Sequence, residues 1–377
     1  MKRFDAIIIG AGLAGLSTAY HLAKSGEKNT LVLEAEHQVG GHASGRNAGM
    51  IRQAIKDPMI ARLAVEGSQA LRRASRGSWK GLTYRANGSL LLSMHSNHPE
   101  LIQTEKTLRR LGVATKRLTL AEAQKKVSIL SISRCNHMLF SPSDGLVELE
   151  PLLNGFLVEL KKHKVAMRLG VMPSGMTATN GGYIVTVGEE KVWARKIVNA
   201  AGAWCPYIAK LSGATALPLK AYRRHLFYAT APSWMRQDWP FVWDIDLDFY
   251  FRPCGKEIMV SPCDKKEVAA YQQKTPREVI EASAKKLLDK KKRLFSSFFN
   301  SVKPNRAKSG LRTMAPDGRF VIGGDPGLKG FYWVAGLGGH GVTTCFSVGK
   351  LASDIILSRS VDRAIKEAFD PKRLIRS

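Results

Sequence analysis

The first fifty residues carry the clearest pattern of apolar and polar positions in the chain. An apolar run over residues 4–9 has the length of a β-strand, and the small and apolar residues of Leu13–Lys24 have helical spacing. A second apolar run follows at Thr30–Leu33. The order of strand, helix and strand predicts a β-α-β unit at the start of the chain.

Three glycines between the first strand and the helix have the spacing of a dinucleotide-binding turn. Gly10, Gly12 and Gly15 form G-x-G-x-x-G, which allows a tight turn, close approach of a pyrophosphate and close packing of helix on strand. Free N–H groups at the helix start favour phosphate. Glu34, at the end of the second strand, is placed to accept hydrogen bonds from ribose hydroxyls and would repel the 2′-phosphate of NADP.

Periodicity also predicts the elements of the remaining chain. Helical spacing of apolar residues occurs in segments 58–73, 99–111, 120–126, 148–162, 276–299 and 343–358, the last expected to be the final helix. The β-rich segments are 84–94, 165–176, 183–187, 193–198, 217–259, 320–324 and 331–336. Asn87-Gly88 predicts a hairpin within the first of these, and alternation over 217–259 predicts a large antiparallel sheet.

These segments predict an α/β fold, α+β overall, with two discontinuous domains. Residues 1–80, 146–216 and 308–377 are expected to form a Rossmann-like dinucleotide-binding domain. Residues 81–145 and 217–307 are expected to form a substrate-binding domain on the antiparallel sheet. A chain of 377 residues is long enough to bury two cores.

The segment after the β-α-β unit indicates which dinucleotide is bound. Residues 39–52, VGGHASGRNAGMIR, are rich in glycine and in hydroxyl, amide and guanidinium donors, which suits backbone lying against a large flat ligand. A nicotinamide enzyme would continue with another helix and is disfavoured. Together with the β-α-β unit, the segment GHASGRNAG at 41–49 resembles the D-amino acid oxidase superfamily of FAD enzymes, which includes glycine oxidase, sarcosine oxidase and D-amino acid dehydrogenases.

The resemblance extends over most of the chain and implies a D-amino acid oxidase-like fold with FAD as cofactor. The segment VNAAGAW at 198–204 matches a strand that runs under the FAD in the superfamily. The segments at 199–205, 249–253, 310–312 and 338–341 and the pair Arg223-Arg224 are most similar to D-arginine dehydrogenase. The implied cofactor-binding residues are Gly10, Gly12, Leu13, Ala14, Gly15, Glu34, Ala35, Gly41, His42, Ala43, Ser44, Arg46, Asn47, Ala48, Gly49, Met50, Val171, Ala200, Ala201, Gly202, Trp204, Arg312, Gly338, Gly339, His340, Gly341, Val342 and Thr343.

The resemblance also implies residues that bind substrate. A tyrosine and an arginine that bind the substrate carboxylate in the family match Tyr250 and Arg312, and a guanidinium meets a carboxylate in two charge-assisted hydrogen bonds. Arg52 falls where sarcosine oxidase has a carboxylate-binding arginine, and His340 lies in a matching G-H-G segment. The other substrate-site candidates are Arg223, Trp243, Gly339 and Phe241, with Asp244 and Asp246 near enough to recruit a cation.

Departures from the family pattern limit the substrate assignment. Met50, Ile55 and Ser89 stand where D-arginine dehydrogenase has a histidine, a tyrosine and a glutamate, so selectivity for D-arginine is not expected. Gly310 stands where sarcosine oxidases attach flavin through a cysteine, so the FAD is expected to be non-covalent. Thr343 replaces the lysine on which sarcosine oxidase depends for oxygen, which favours a dehydrogenase.

The reaction implied is oxidation of the C–N bond of a D-amino acid or related amino acid. Hydride transfer to flavin N5 gives an imine, which hydrolyses to a 2-oxo acid and ammonia, and the electron acceptor is expected to be O2 or a quinone. This reaction needs an oriented Cα–H rather than a strong base. Two alternatives remain: a secondary amine oxidase of the sarcosine or glycine type, and a non-catalytic flavoprotein that serves as an assembly factor.

The net charge of +27 is the unusual feature of the composition. Such a charge attracts nucleic acid or anionic membranes, but no nucleic-acid motif accompanies it, so we favour a solvated basic surface. The densest basic segment, 284–295, places Ala284, Leu287, Leu288 and Phe295 on one helical face and its lysines on the other. Peripheral docking on acidic lipid is the alternative interpretation.

The cysteines and apolar runs indicate the compartment. Five scattered cysteines without a C-x-x-C pair predict neither a disulfide framework nor a metal site, and a cytoplasmic location is expected. Contact with the inner membrane surface is the alternative. No apolar run approaches the roughly 20 residues of a membrane span, and the apolar start is assigned to the dinucleotide fold rather than to a signal peptide.

Overall fold

The computed structural model describes residues 1–27, 29–77, 79–130, 135–272, 275–294 and 303–375. Within these ranges the α-helices, numbered in chain order, are Leu13–Lys24 (α1), Pro58–Arg76 (α2), Pro99–Arg110 (α3), Leu120–Lys126 (α4), Leu149–Lys162 (α5), Cys205–Ser212 (α6), Arg277–Leu294 (α7), Gly341–Ile356 (α8) and Arg363–Phe369 (α9). Short 3-10 helices cover Gly202–Trp204 and Pro371–Leu374.

The strands, also numbered in chain order over the described residues, form three sheets. They are Arg3–Ile9 (β1), Thr30–Leu33 (β2), Met50–Ile51 (β3), Tyr84–Arg85 (β4), Ser89–Ser93 (β5), Lys116–Arg117 (β6), His137–Ser141 (β7), Gly145–Val147 (β8), Ala166–Arg168 (β9), Pro173–Thr179 (β10), Gly182–Val187 (β11), Glu190–Asn199 (β12), Lys220–Thr230 (β13), Phe241–Asp244 (β14), Phe249–Cys254 (β15), Glu257–Ser261 (β16), Lys266–Glu267 (β17), Arg306–Met314 (β18), Val321–Gly324 (β19) and Phe331–Ala335 (β20).

The first sheet contains the predicted β-α-β unit, which is confirmed. Its strands run in the order β10-β11-β12-β1-β2-β9, and β20 pairs with the carboxyl half of β12 and with β19. Strands β12, β1, β2 and β9 are parallel, and so is the pairing of β20 with β12. The carboxyl ends of these parallel strands therefore meet at one edge, the usual place for a ligand in such sheets.

Helices α1, α2, α5 and α8 pack into one hydrophobic core with this sheet, and two glycines allow the helices to cross closely. A Cβ on Gly349 of α8 would lie 2.5 Å from the carbonyl carbon of Ser17 in α1. A Cβ on Gly67 of α2 would lie 2.2 Å from the carbonyl oxygen of Thr343 in α8. Since no real Cβ approaches backbone so closely, the position of α8 depends on both glycines.

The second sheet has the order β17-β13-β16-β15-β14-β5-β7-β6, with β18 paired to β13. Most of its pairs are antiparallel, as predicted, but β14 runs parallel to β5, with Phe241 opposite Ser89. The sheet is therefore mixed. Its core includes Leu90, Phe227, Phe251 and Val260, all buried.

The predicted hairpin at Asn87-Gly88 is wrong. Strand β4 pairs with β8 in a three-stranded sheet, whereas β5 belongs to the second sheet. Gly88 has a φ of +83°, and a Cβ there would lie 2.5 Å from the Phe140 ring. Its N–H donates to the carbonyl of Asp144 rather than across a hairpin. The chain therefore turns at Gly88, beside Phe140, and its strands before and after this turn belong to different sheets.

Other predictions have mixed outcomes. The helix expected over 120–126 is confirmed, with a full capping box between Thr119 and Glu122. Helix α8 is not the final helix, because α9 follows it. The basic segment is helical through Leu294, and Phe295 lies outside the described residues. The division into domains stays a prediction; its boundaries at 146 and 308 fall inside β8 and β18.

None of the helices in the described ranges has the length and apolar character that crossing a bilayer requires.

Many ion pairs lie on the described surface. Arg117 with Glu105 and Lys116 with Glu122 are examples beside α3 and α4. Exposed pairs of this kind contribute little to stability, about 0–1 kcal/mol each.

Replacing Gly349 with alanine tests the close helix crossing. We expect Gly349→Ala to lower the free energy of unfolding by about 1–3 kcal/mol, because the added methyl group must push α8 away from α1. Alanine's better helix propensity, about 1 kcal/mol, opposes this effect only in part. Denaturant unfolding of the purified protein measures the change.

The matched control is Gly175→Ala in β10, where the added Cβ would lie 3.5 Å from Thr186 Oγ1, an ordinary contact. This control is expected to stay within about 0.5 kcal/mol of the wild type. Equal stabilities for the Gly349 variant and the control would contradict the packing account.

Candidate active site

A long cleft opens at the carboxyl ends of β1, β2 and β12, and its floor is a contact between two backbone turns. Gly10 has a φ of +105°, and a Cβ there would lie 2.5 Å from the carbonyl oxygen of Ala200. A Cβ on Gly15 would lie 1.9 Å from the carbonyl oxygen of Gly10. Only glycine fits these two positions.

The start of helix α1 faces the cleft, and a side chain from another segment accepts from its first N–H group. Gly12 is the N-cap residue and offers no side chain, and the N–H of Leu13 donates to Ser44 Oγ at 2.9 Å. A Cβ on Gly12 would lie 3.1 Å from that same oxygen. The positive end of the helix and a hydroxyl therefore meet at the place where the motif predicts a pyrophosphate.

Glu34 is held at the edge of the cleft by backbone donors. Its Oε2 accepts from the N–H of Ala11 at 2.7 Å, and its Oε1 accepts from the N–H of Glu36 at 3.0 Å. Two oxygens offer about four acceptor sites, so the carboxylate can still accept from ribose hydroxyls. The ribose-binding role of Glu34 stays a prediction.

The segment after β12 and the glycine-rich run form the opposing walls. Asn199 Nδ2 donates to the carbonyl of Cys205 at 2.9 Å, which holds the turn at 200–204 in shape. The His42 ring lies 4.6 Å from the Trp204 ring, and His42 Nε2 lies 2.9 Å from Glu36 Oε1. These contacts hold flat side chains and exposed backbone along the cleft.

Most of the predicted cofactor residues line this cleft. They are Gly10, Gly12, Leu13, Ala14, Glu34, Ala35, Gly41, His42, Ala43, Ser44, Arg46, Asn47, Ala48, Val171, Ala200, Ala201, Gly202, Trp204, Arg312, Gly338, Gly341 and Val342. Gly15 and Gly49 instead pack against backbone, at Gly10 and Val147 respectively. A helix start, an acid and glycine-rich walls in this order fit a dinucleotide with a flat ring.

A second cavity, of about 330 Å³, adjoins the cleft and shares Asn47, Ala48, Arg224 and Arg312 with it. The predicted substrate residues on its wall are Arg52, Arg223, Trp243, Gly339 and His340, joined by Met50 and Thr343, which were predicted to contact the cofactor. We refer to this space as the substrate cavity. Arg312 lies where the two spaces meet.

Arg312 lies on β18 opposite Tyr222 of β13, with Gly339 against its guanidinium. A Cβ on Gly339 would lie 2.9 Å from Arg312 Nη1, so the glycine makes room for the charged group. Burial and the like charge of Arg224 lower the pKa of Arg312, and Tyr250 opposes this shift. A neighbouring anion would relieve that unfavourable environment.

Tyr250 is fully buried and stands behind the cavity wall rather than on it. Its ring centroid lies 4.8 Å from that of Trp243, and its hydroxyl makes no hydrogen bond of ordinary geometry within the described residues. Burial raises the pKa of Tyr250, while the positive charge of Arg312 lowers it. The phenol therefore stays protonated and is close enough to Arg312 to interact with its charge.

Arg52 is placed in the cavity by contacts on two sides. Its guanidinium carbon lies 4.3 Å from the centre of the Trp243 ring, a cation–π contact. The backbone N–H of Arg52 donates to Thr343 Oγ1 at 3.1 Å, and that hydroxyl donates to the carbonyl of Met50 at 3.3 Å. Burial lowers the pKa of Arg52. Thr343 therefore holds the backbone of Arg52, directly after β3.

His340 is the N-cap residue of α8 and lies in the substrate cavity. Burial, followed by the positive charges of Arg52 and Arg312, lowers its pKa to about 3. The imidazole is therefore neutral at neutral pH, and one ring nitrogen can donate while the other accepts.

Three residues predicted near the pocket line neither the cleft nor the substrate cavity. Phe241 is fully buried and lines neither space. Asp244 Oδ1 accepts from the N–H of Leu247 at 2.8 Å, and Asp246 Oδ2 accepts from the N–H of Met94 at 2.6 Å. Both carboxylates hold loops, and neither lines the substrate cavity.

Sequence reasoning missed several lining residues. The substrate cavity also includes Glu100, Tyr222, Arg224, Asp248, Asp264 and Lys265, and the cleft includes residues 334–337. Arg224 was visible as half of the Arg223-Arg224 pair. Arg224 Nε donates to the carbonyl of Asp264 at 3.2 Å, whereas the Nη2 of Arg223 donates to the carbonyl of Gln272. For Glu100 and Asp248 the sequence offers no signal.

A parallel β-α-β unit with a glycine turn lies beside a mixed sheet that brings arginines to the same cleft. This arrangement is typical of dinucleotide-dependent enzymes. Residues 5–355 match the family model described as FAD dependent oxidoreductase. The chain belongs to this family, and its cofactor is FAD. The resemblance to the D-amino acid oxidase superfamily is thereby confirmed.

Relatives of known function are similar over nearly the whole chain. The mitochondrial dimethylglycine dehydrogenase of Rattus norvegicus is 22% identical over 374 residues, which are 94% of this chain and 43% of the relative. The peroxisomal sarcosine oxidase of Homo sapiens is 26% identical over 93% of this chain and 92% of its own. The chain thus spans less than half the length of the dimethylglycine dehydrogenases it matches.

Solved structures share the fold. The L-proline dehydrogenase from P. horikoshii superposes with a TM-score of 0.88 at 21% identity, covering 99% of this chain and 98% of the other. The glycine oxidase from Geobacillus kaustophilus superposes with a TM-score of 0.83 at 18% identity, covering both chains completely. The predicted fold class is therefore confirmed.

Removing the charge of Glu34 tests the cofactor site. We expect Glu34→Gln to weaken FAD binding about 10-fold to 100-fold, because hydrogen bonds to a charged acceptor contribute about 1.5–3 kcal/mol. Titration of the apoprotein with FAD, followed by flavin fluorescence, measures the affinity. Glu27→Gln is the control, since Glu27 pairs with Arg195 and Lys196 at the opposite end of β2. An unchanged affinity for Glu34→Gln would refute the ribose assignment.

The neutral state of His340 predicts a pH effect on stability. Its pKa is about 3 when folded and about 6.5 when unfolded, so between these values the unfolded chain binds the extra proton. Stability is therefore lost as the pH falls below 6.5. From pH 7 to pH 5 the wild type should lose about 2 kcal/mol more than His340→Asn. Denaturant unfolding at both pH values measures this difference, and parallel losses would contradict it.

Proposed function

We propose that this flavoenzyme oxidises the C–N bond of an amino acid whose carboxylate binds Arg312, with D-amino acids as the first candidates. The observation that supports this most is the position of Arg312, which lines both the FAD cleft and the substrate cavity. A carboxylate held there lies beside the flavin site. FAD, when bound, supplies the acceptor for the hydride that leaves Cα.

The chain's own residues orient the substrate. The Arg312 guanidinium binds the carboxylate through two N–H···O bonds, and Tyr250 behind it keeps a protonated hydroxyl near the same charge. Trp243 and Met50 supply apolar surface on the cavity wall. Neutral His340 adds no positive charge beside Arg52 and Arg312, and one of its ring nitrogens can accept a hydrogen bond from the substrate amine.

A secondary amine is the second candidate substrate, and two observations support it. Arg52 lies in the substrate cavity, at the position where the sequence resembles the carboxylate-binding arginine of sarcosine oxidase. The relatives include proteins named sarcosine oxidase and dimethylglycine dehydrogenase. N-methylglycine is then oxidised at its C–N bond in the same cavity.

An anaerobic screen tests the proposal directly. Bleaching of the flavin absorbance is measured with D-alanine, L-alanine, glycine, N-methylglycine, D-glutamate and iminodiacetate, and reduction by at least one of them is expected. Reoxidation by air and by a soluble quinone then compares the two acceptors. Failure of every amine and amino acid to bleach the flavin would refute the proposed function and favour a flavoprotein without turnover.

Removal of the Arg312 guanidinium tests the carboxylate assignment. We expect Arg312→Ala to keep its yellow flavin and to raise KM for the best amine found by the screen about 10-fold to 100-fold, because a charge-assisted pair is lost. Steady-state kinetics measure the change. Arg306→Ala is the control on the same strand, where Arg306 forms an exposed ion pair with Glu257. Unchanged kinetics in Arg312→Ala would overturn the assignment.

A further inference from the structure

The wall of the substrate cavity carries more positive charge than one carboxylate can balance. Its basic side chains are Arg52, Arg223, Arg224, Arg312 and Lys265. Its carboxylates are Glu100, Asp248 and Asp264. With His340 neutral, the wall has an excess of two positive charges, and a substrate with a single carboxylate would offset only one of them.

The two arginines best placed to bind ligand have no carboxylate of the described chain within ion-pair distance, although the more distant charges of Glu100 and Asp144 oppose the lowering of the Arg52 pKa by burial. Neither Arg52 nor Arg312 forms an ion pair within the described residues, and Arg52 Nε makes no hydrogen bond there. Asp264 is engaged elsewhere, since it accepts from the His225 N–H and lies 2.6 Å from His225 Nδ1. Asp248 and Lys265 are exposed, toward solvent. A largely desolvated guanidinium without a partner is costly, and an anionic ligand removes that cost.

The two guanidinium groups are held apart by different elements. Arg312 lies on β18, where Gly339 leaves room for it at the junction with the flavin cleft. Arg52 follows β3 and stacks on Trp243, and the hydroxyl of Thr343 fixes its backbone. Two separately supported cations in one cavity are suited to two anionic groups on one ligand.

We propose that the natural substrate is a small amino acid or amine with two acidic groups, one carboxylate bound by Arg312 and the second bound by Arg52. This inference rests on the proposed function for the oxidation itself and adds the substrate class. The cavity volume of about 330 Å³ is at the low end for ligand pockets, which favours a short dicarboxylate. Aminodicarboxylic acids and N-carboxymethyl amino acids have this chemistry.

Binding of simple acids tests the proposal without any turnover. The purified holoenzyme is titrated with malonate, succinate and glutarate and with the monocarboxylates propionate, butyrate and pentanoate, and perturbation of the flavin spectrum reports binding. We expect at least one diacid to bind 10-fold or more tightly than the monoacid closest to it in length. Equal or weaker binding of all three diacids overturns the proposal.

A substitution at Arg52 assigns the second anionic subsite. Arg52→Gln is expected to abolish the preference for the diacid, because the second carboxylate loses its charged partner. Arg72→Gln is the matched control, because Arg72 stacks on Tyr84 at 4.5 Å in the same kind of contact but outside the cavity. It is expected to keep the preference. A preference that persists in Arg52→Gln overturns the assignment, and if this variant does not fold, the wild-type series alone decides.

Turnover separates this inference from the proposed function. Iminodiacetate and D-glutamate are compared with N-methylglycine and D-alanine, and kcat/KM is expected to be at least 10-fold higher for the diacid of each pair. Efficient oxidation of the monoacids without such a preference overturns only the second subsite. No oxidation of any amine, together with tight diacid binding, overturns the proposed reaction and leaves the subsite standing.

Discussion

The approach of the glycine turn to the turn after β12 is the constraint on which the site depends. The backbones of Gly10 and Ala200 meet at the carboxyl ends of neighbouring parallel strands, at a distance that excludes a Cβ. That contact sets the floor of the FAD cleft and directs the start of α1 into it. Ser44 and Glu34 then take their places because backbone N–H groups of the same turn donate to them.

The pairing register of the second sheet places a charged side chain beside the floor of the cleft. Strand β18 pairs with β13 along its whole length, which places Arg312 opposite Tyr222 and at the boundary between cleft and cavity. Helix α8 completes the arrangement: Gly67 lets it approach α2, and its Thr343 hydroxyl fixes the backbone of Arg52. The small residue Gly67 at a helix crossing therefore affects where the Arg52 guanidinium lies.

Local features of the chain were predictable because their causes are local. The β-α-β unit follows from apolar runs around a glycine turn, and α4 begins at Thr119 because the capping box satisfies its free N–H groups. Features that depend on distant partners were not. Asn87-Gly88 has the composition of a hairpin, but Phe140 and Asp144, more than 50 residues away, direct β4 and β5 into different sheets. In the same way, Glu100 and Asp248 reach the cavity only through tertiary packing.

The central claim is that the glycine-floored cleft holds FAD with its reactive ring against the cavity that Arg312 borders. A crystal structure of the holoenzyme with a bound carboxylic acid tests this most directly. The account predicts the flavin ring along the segment at 200–204 and 338–342, with the acid bound to the Arg312 guanidinium on one face of the ring. A flavin bound with its ring directed away from Arg312, or an acid bound far from it, would contradict the account.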